Sequence, residues 1–179
     1  MITLGWVYVV AGATFAAFAV LAVTDRTNSN RWGNSAFWSL MATSMWAGDL
    51  LGDFANGLLV LALVAIAGFG RLGGGTGGQV DDSTKVQRAR AHGNRLFAIA
   101  LIIPATALAG TFVFKQFPTM VDAKQTTLIS LALGVIIALV VGCIWLRARP
   151  VVALQQGRRL MDSVGWAGIL PQMLASLGA

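Results

Sequence analysis

Five apolar runs, each long or nearly long enough to cross a lipid bilayer, divide this chain and leave few folds open to it. A helix needs about 20 mostly apolar residues to span a hydrocarbon core of about 30 Å. The runs are Ile2–Val23, Ala36–Leu51, Phe54–Phe69, Leu96–Phe114 and Thr127–Leu146. Only 11% of the residues are charged, against roughly a quarter in soluble domains. We therefore predict an all-α, polytopic membrane helix bundle with about five transmembrane helices.

The segments between the runs predict four regions along the chain. Residues 1–70 hold the first three transmembrane helices, and the link Gly48–Asp53 is so short that helices two and three are predicted to form a helical hairpin. Residues 71–95 form a cytoplasmic Gly-rich linker and a basic surface helix. Residues 96–146 hold transmembrane helices four and five. Residues 147–179 are predicted to contain an amphipathic segment and then a re-entrant segment or a truncated sixth span.

Lysine and arginine are distributed unevenly between the two sides of the predicted bundle. If the five spans alternate in direction, one side carries eleven of these residues and the other carries only Lys115 and Lys124. Because positive residues favour cytoplasmic loops, the eleven are predicted to be cytoplasmic and the N-terminus to be outside. The net charge of +6 then reflects topology. We expect contact with membrane lipid and no binding of nucleic acid.

Asp49 and Asp53 are candidates for ion coupling. They are the acids nearest to membrane depth on the predicted outer side, where an acid is costly and tends to be kept for function. On a continuous helix, their spacing of four would place both on one face, where they could hold a coupling cation or a proton. The alternative is a solvated turn in which Asp53 caps the third span.

Two prolines interrupt apolar runs. Pro104 removes one helix hydrogen bond, which gives a plain kink or, as the alternative, a hinge or a polar pocket beside Thr106. Pro171, Gln172 and Ser176 lie in a stretch broken by glycines, of the kind that contacts solute in secondary transporters. An ordinary kinked span explains that stretch equally well.

Small residues recur on one face of the fifth predicted span. Gly134, Ala138 and Gly142 are four positions apart, which allows the close approach that helices in lipid need. We interpret this face as a helix-packing surface, with contact to another subunit as the alternative.

The sequence carries no pattern typical of an enzyme. His92 is the single histidine and lies in a basic stretch, while Cys143 is the single cysteine and lies in an apolar run. The Gly70–Gly78 segment lacks the Gly-Lys-Ser/Thr ending of a phosphate-binding loop. We therefore expect no catalysis, no cofactor and no metal site.

Several short strings carry a resemblance that extends over nearly the whole chain. They are Asp25-Arg26-Thr27, Arg31-Trp32-Gly33-Asn34, Gly48–Asp53, Gly93-Asn94-Arg95-Leu96-Phe97, Ile102–Thr106, Gln156–Leu160 and Leu170–Leu174. Together they resemble a bacterial inner-membrane family of 5-oxoproline (pyroglutamate) transporter subunits, of which this chain matches roughly the N-terminal half. The resemblance implies a partner membrane subunit encoded nearby and a secondary-transporter architecture with re-entrant hairpins.

From these patterns and the resemblance, we expect a subunit or N-terminal half of a secondary transporter for a small carboxylate such as 5-oxoproline. The protein is expected to be a multi-pass protein of the bacterial inner membrane. The Pro171–Ser176 stretch is expected to contact solute, and the Asp49–Asp53 turn to couple transport to a cation or proton. The arginines near Arg158 are expected to anchor a surface helix. The alternative function is a non-transporting scaffold or accessory subunit that stabilises a partner membrane protein.

Overall fold

All regular elements in the described part of the chain are helices. A computed structural model describes residues 3–69, 72–73, 93, 95–117, 119–122 and 125–164. The elements are α1 (Leu4–Thr24), α2 (Arg31–Gly68), α3 (Arg95–Gln116), α4 (Thr126–Trp145) and α5 (Pro150–Val164). Among these described helices, four, α1 to α4, contain stretches that are long and apolar enough to cross a membrane. The prediction of an all-helical protein with several potential membrane spans is confirmed at this level.

Helix α2 folds back on itself and forms the hairpin predicted around Gly48–Asp53. Its 38 residues would extend about 57 Å as a straight helix, nearly twice the hydrocarbon thickness. The helix is broken at Gly52, whose φ of 67° is accessible to glycine at little cost. Trp38 and Leu63, from opposite halves of α2, lie in the same buried cluster, so the halves run side by side.

The described residues fall into two compact units, each built from separated parts of the chain. The α3–α4 unit contains those two helices together with residues 3–8. The hairpin unit contains the rest of α1, both halves of α2, residues 72–73 and α5 from Val151 onwards.

An aromatic core organises the hairpin unit. Its buried members come from α1 and both halves of α2: Phe18, Ala19, Phe37, Trp38, Met41, Leu59 and Leu63. Leu154 and Met161 of α5 pack against this cluster with their side chains partly buried. Helix α5 has 15 residues, about 22 Å, and is therefore shorter than a membrane span. The apolar face of α5 packs on the core. This packing also determines where the other side chains on that face point.

Close backbone approach organises the α3–α4 unit. Helix α4 buries Thr126, Ser130, Gly134 and Ala138, which recur every four residues. A Cβ atom at Gly134 would lie 3.0 Å from the carbonyl oxygen of Ile103 in α3. The small-residue face predicted at Gly134 and Ala138 is therefore confirmed as a packing surface within this chain.

Candidate functional site

Arg158 of α5 lies between two carboxylates in the hairpin unit. Its Nη1 donates a hydrogen bond to Oδ2 of Asp162 at 2.7 Å, and its Nη2 donates to Oδ2 of Asp25 at 2.5 Å. The side chains of Arg158 and Asp162 are 3% and 1% exposed, and that of Asp25 is 13% exposed. The expectation that Arg158 anchors a surface helix is wrong, because the apolar face of α5 carries this arginine into the core.

Trp38 fixes the inner carboxylate of this group. Its indole Nε1 donates to Oδ1 of Asp162 at 2.9 Å, so both oxygens of Asp162 have a donor. The Trp38 ring stacks on Phe15 with centroids 5.6 Å apart, and the edges of Phe18 and Phe37 meet it at 5.5 and 5.0 Å. We refer to Asp25, Trp38, Arg158 and Asp162 as the Arg158 cluster.

The two carboxylates of the Arg158 cluster have opposite pKa shifts. Burial raises the pKa of Asp162, and the hydrogen bond from Trp38 and the charge of Arg158 act against that rise. The pKa of Asp25 is lowered, first by the hydroxyl of Thr27 and then by Arg158, while partial burial opposes both. Asp25 is therefore ionised at neutral pH.

Asp25 belongs to a short turn that follows α1. The backbone N–H and the Oγ1 of Thr27 donate to Oδ1 of Asp25 at 3.2 and 2.5 Å, which is an Asx-type turn. Because Thr27 uses Oδ1 and Arg158 uses Oδ2, the carboxylate of Asp25 is shared between the turn and the arginine.

Two buried asparagines hold the start of α2 against the segment after the hairpin. Asn28 and Asn34 each donate through Nδ2 to the carbonyl oxygen of Gly73 at 2.8 Å. The N–H of Gly73 donates in return to Oδ1 of Asn34 at 3.2 Å. The nearby side chain of Asn34 also lowers the pKa of Asp162 slightly. This clamp therefore fixes the loop that carries Asp25 and the helix that carries Trp38.

A polar cavity of about 380 Å³ opens beside Arg158, a volume within the range of small-molecule sites. Its lining residues are Leu21, Thr24, Asp25, Arg26, Thr27, Gln155, Arg158 and Arg159. Three arginines and one aspartate give the lining an excess of positive charge, so a small anion fits its electrostatics. In the described part of the chain, no group of three or more His, Cys, Asp or Glu residues could hold a metal ion.

Asp49 and Asp53 lie at the tip of the α2 hairpin and outside this cavity. Both are exposed, and Gly52 breaks the helix between them, so they do not share the face of one continuous helix. Nδ2 of Asn56 donates to the carbonyl oxygen of Gly48 at 2.7 Å across the same tip. The local structure is the turn that was the alternative interpretation, and ion coupling by these acids stays a prediction.

The remaining candidate residues lie either in the α3–α4 unit or outside the described residues. Pro104 is exposed within α3, which continues as a helix on both sides of it, so its role as a hinge stays a prediction. Thr106 and Ser130 border a largely apolar groove of about 440 Å³ in the α3–α4 unit. Pro171, Gln172 and Ser176 lie outside the described residues.

Sequence reasoning missed the Arg158 cluster although one local signal was present. Arg158 and Asp162 are four positions apart, a spacing at which opposite charges pair on a helix. Leu154 and Met161 mark the buried face of the same helix. Asp25, which completes the cluster, is 133 positions from Arg158, and no local pattern connects them.

Comparison with known proteins identifies a family and nothing beyond it. A family model described as "Protein of unknown function (DUF979)" matches residues 5–179. No curated protein and no solved structure matches the chain.

Proposed function

The chain belongs to the DUF979 family, and we propose that it is a subunit or N-terminal half of a secondary transporter for a small carboxylate. The observation that carries this proposal is the cavity beside Arg158, which three arginines line at the end of an apolar helix bundle. Guanidinium groups are the side chains best suited to recognise a carboxylate. The proposed place of work is the bacterial inner membrane, with the basic loops in the cytoplasm and the N-terminus outside.

The free-energy cost of burying the Arg158 cluster supports a function that needs charged groups. Taking charged groups out of water is expensive, and well-packed apolar residues hold helices together at least as well. Arg158 and Asp162 are nevertheless enclosed between helices that present apolar surfaces elsewhere. A solute carrier needs such a polar site, whereas a protein that only fills the membrane does not.

The resemblance to 5-oxoproline transporter subunits supplies the first solute to test. A 5-oxoproline molecule carries one carboxylate for an arginine and one lactam amide for neutral polar groups such as Thr27 and Gln155. In this proposal Pro171, Gln172 and Ser176 supply a second set of solute contacts, and Asp49 or Asp53 couples uptake to a cation or proton. A second membrane subunit, encoded nearby, completes the pathway.

The test is uptake of labelled 5-oxoproline into bacteria that lack their own route, with this chain expressed alone and with its presumed partner subunit. We expect uptake only when both are in the membrane. Arg26 lines the cavity and is exposed, so Arg26→Gln should lower uptake. Arg149 is exposed and does not line the cavity, so Arg149→Gln is the matched control. Equal uptake by both variants would contradict a transport role for this cavity.

The rival proposal is a scaffold that stabilises a partner membrane protein, and the apolar groove on α3 and α4 favours it. Ala105, Ala109 and Gly110 border this groove with small side chains that could receive another helix. A cysteine placed at Ser176, with Cys143→Ser to remove the native thiol, separates the two. Labelling that 5-oxoproline slows supports transport, whereas labelling indifferent to every solute supports the scaffold.

A further inference from the structure

Arg158 donates only one of the two N–H groups on the edge of its guanidinium that faces Asp25. Nη2 donates to Oδ2 of Asp25, but the buried Nε has no hydrogen-bond acceptor among the described residues. Nε–H and one Nη2–H lie parallel on the same edge of a guanidinium, and a carboxylate binds most strongly when it accepts from both. A buried N–H without an acceptor is unfavourable, so this edge is incompletely satisfied in the structure.

Asp25 is tied to its turn in a way that prevents it from completing the edge. Its Oδ1 accepts from the N–H and Oγ1 of Thr27, which leaves only Oδ2 for Arg158. A free carboxylate has both oxygens available and carries no such restraint.

We propose that the carboxylate of a small solute takes the place of Asp25 on Arg158 and accepts hydrogen bonds from both Nε and Nη2. Asp25 is then an internal competitor that occupies the site until solute enters the cavity. This inference rests on the proposed function, because it names the group that recognises the carboxylate.

The two carboxylates around Arg158 differ in how readily they can leave. Asp162 is on the same helix, is almost completely buried and accepts a second hydrogen bond from Trp38. Asp25 is in a loop, lines the cavity and is the more exposed of the two. Asp25 can therefore move towards the cavity and keep its hydrogen bonds to Thr27, while Asp162 continues to hold Nη1.

Electrostatics favours an exchange over a simple addition. Arg158 already has one carboxylate on each side, and a third anion added to the cluster would increase the buried negative charge. Replacing one carboxylate by another leaves the charge next to Arg158 unchanged, so little desolvation is added. Arg26, which is exposed on the cavity wall, attracts the incoming anion.

The test is equilibrium binding of labelled 5-oxoproline to the full chain in membranes with its partner subunit. Asp25→Asn removes the competing charge and should tighten binding about tenfold. Arg158→Lys keeps the positive charge but loses the paired N–H groups, and should weaken binding about tenfold or more. Arg149→Gln, at an arginine that does not line the cavity, should bind as the unchanged protein does, and the carboxamide of 5-oxoproline should not compete.

Weaker or equal binding by Asp25→Asn overturns the exchange, as does equal binding by Arg158→Lys. If Asp25→Asn does not fold, Asp25→Ser removes the carboxylate and keeps a side chain that favours the same turn, with the same expected gain. Uptake of 5-oxoproline is measured in parallel. Lactate serves as a second small carboxylate in the binding measurement. Carboxylate binding that follows these variants without any uptake supports the site and contradicts transport. Uptake that is indifferent to both variants supports transport and overturns the site.

Discussion

The hairpin unit and the α3–α4 unit hold their helices together by different means. In the hairpin unit, a buried aromatic core is combined with the charged Arg158 cluster and the Asn28–Asn34–Gly73 clamp. In the α3–α4 unit, small residues let α4 approach the backbone of α3, as at Gly134 and Ile103. Helices in lipid gain little from apolar burial, so the polar network in one unit and the close packing in the other are expected to contribute most.

Because the two units are held together by different contacts, different substitutions should destabilise them. A polar network fails when one partner is removed, because the other is left buried without a hydrogen bond. A close-packed pair fails when volume is added, because the backbones are pushed apart. Substitutions that change charge should therefore damage the hairpin unit, and substitutions that add a methyl group should damage the α3–α4 unit.

Removing the arginine is expected to have the largest effect. Arg158→Met leaves Asp25 and Asp162 without their shared cation and should cost about 3–5 kcal/mol of the free energy of unfolding. Arg26→Gln, at an exposed arginine, should stay within about 0.5 kcal/mol. The measurement is denaturant unfolding of the purified protein in detergent micelles. If both variants unfold alike, the cluster does not hold the hairpin unit together.

Removing the hydrogen-bond donor of the Trp38 indole is expected to have the second-largest effect on the free energy of unfolding. Trp38→Phe keeps an aromatic ring between Phe15 and Phe37 but leaves Oδ1 of Asp162 without its donor. A hydrogen bond to a buried charged group is worth about 1.5–3 kcal/mol, and we expect that loss in the same unfolding measurement. Trp32 is 64% exposed, so Trp32→Phe is the control. An equal response of both tryptophans would show that ring packing alone matters.

Adding one methyl group tests the other unit. At Gly134 a Cβ would lie 3.0 Å from the carbonyl oxygen of Ile103, whereas at Gly142 it would lie 3.5 Å from the side chain of Ile99. Gly134→Ala should therefore be about 1–3 kcal/mol less stable than Gly142→Ala. Hydrogen exchange of amides in α3 and α4 reports the loss locally. Equal exchange in the two variants would argue against close packing as the main contact.

Acid is expected to have the smallest effect, confined to the hairpin unit. The native pKa of Asp25 lies below its unfolded value of about 3.8, so its contribution to stability is present above that pH and is lost as the pH falls through the native pKa. The pKa of Asp162 is raised, so the stability that its protonation contributes is fully present below the unfolded value of about 3.8. Asp162 therefore does not add to the loss of stability in acid. Amides in α5 should lose protection, relative to unfolded amides at the same pH, below about pH 3.8, and Asp25→Asn should abolish this pH dependence. A dependence that persists in Asp25→Asn would assign it to another group.

Much of the fold follows from local sequence patterns. The apolar runs predict where α1, α3 and α4 lie, because length and hydropathy are properties of a single segment. The hairpin in α2 follows from the short polar link at Gly48–Asp53. The small-residue spacing at Gly134 and Ala138 predicts the packing face because a helical face is also a local property.

The candidate site depends on contacts that no segment shows alone. The amphipathic pattern of α5 indicates two faces, but only the packing of Leu154 and Met161 on the core determines that Arg158 points inwards. Asp49 and Asp53 would share one face only on an unbroken helix, and the helix is broken at Gly52. Tertiary contact therefore decides which arginine is buried and which acids share a surface.

The separation of 133 residues between Asp25 and Arg158 has a consequence for biosynthesis. At roughly 5–20 residues per second, a ribosome needs about 7–27 s after making Asp25 before it reaches the arginine. The aromatic residues of α1 and α2 have been synthesised by then, so the residues on which α5 packs are made before Arg158. A chain interrupted before α5 therefore lacks the arginine that pairs with Asp25.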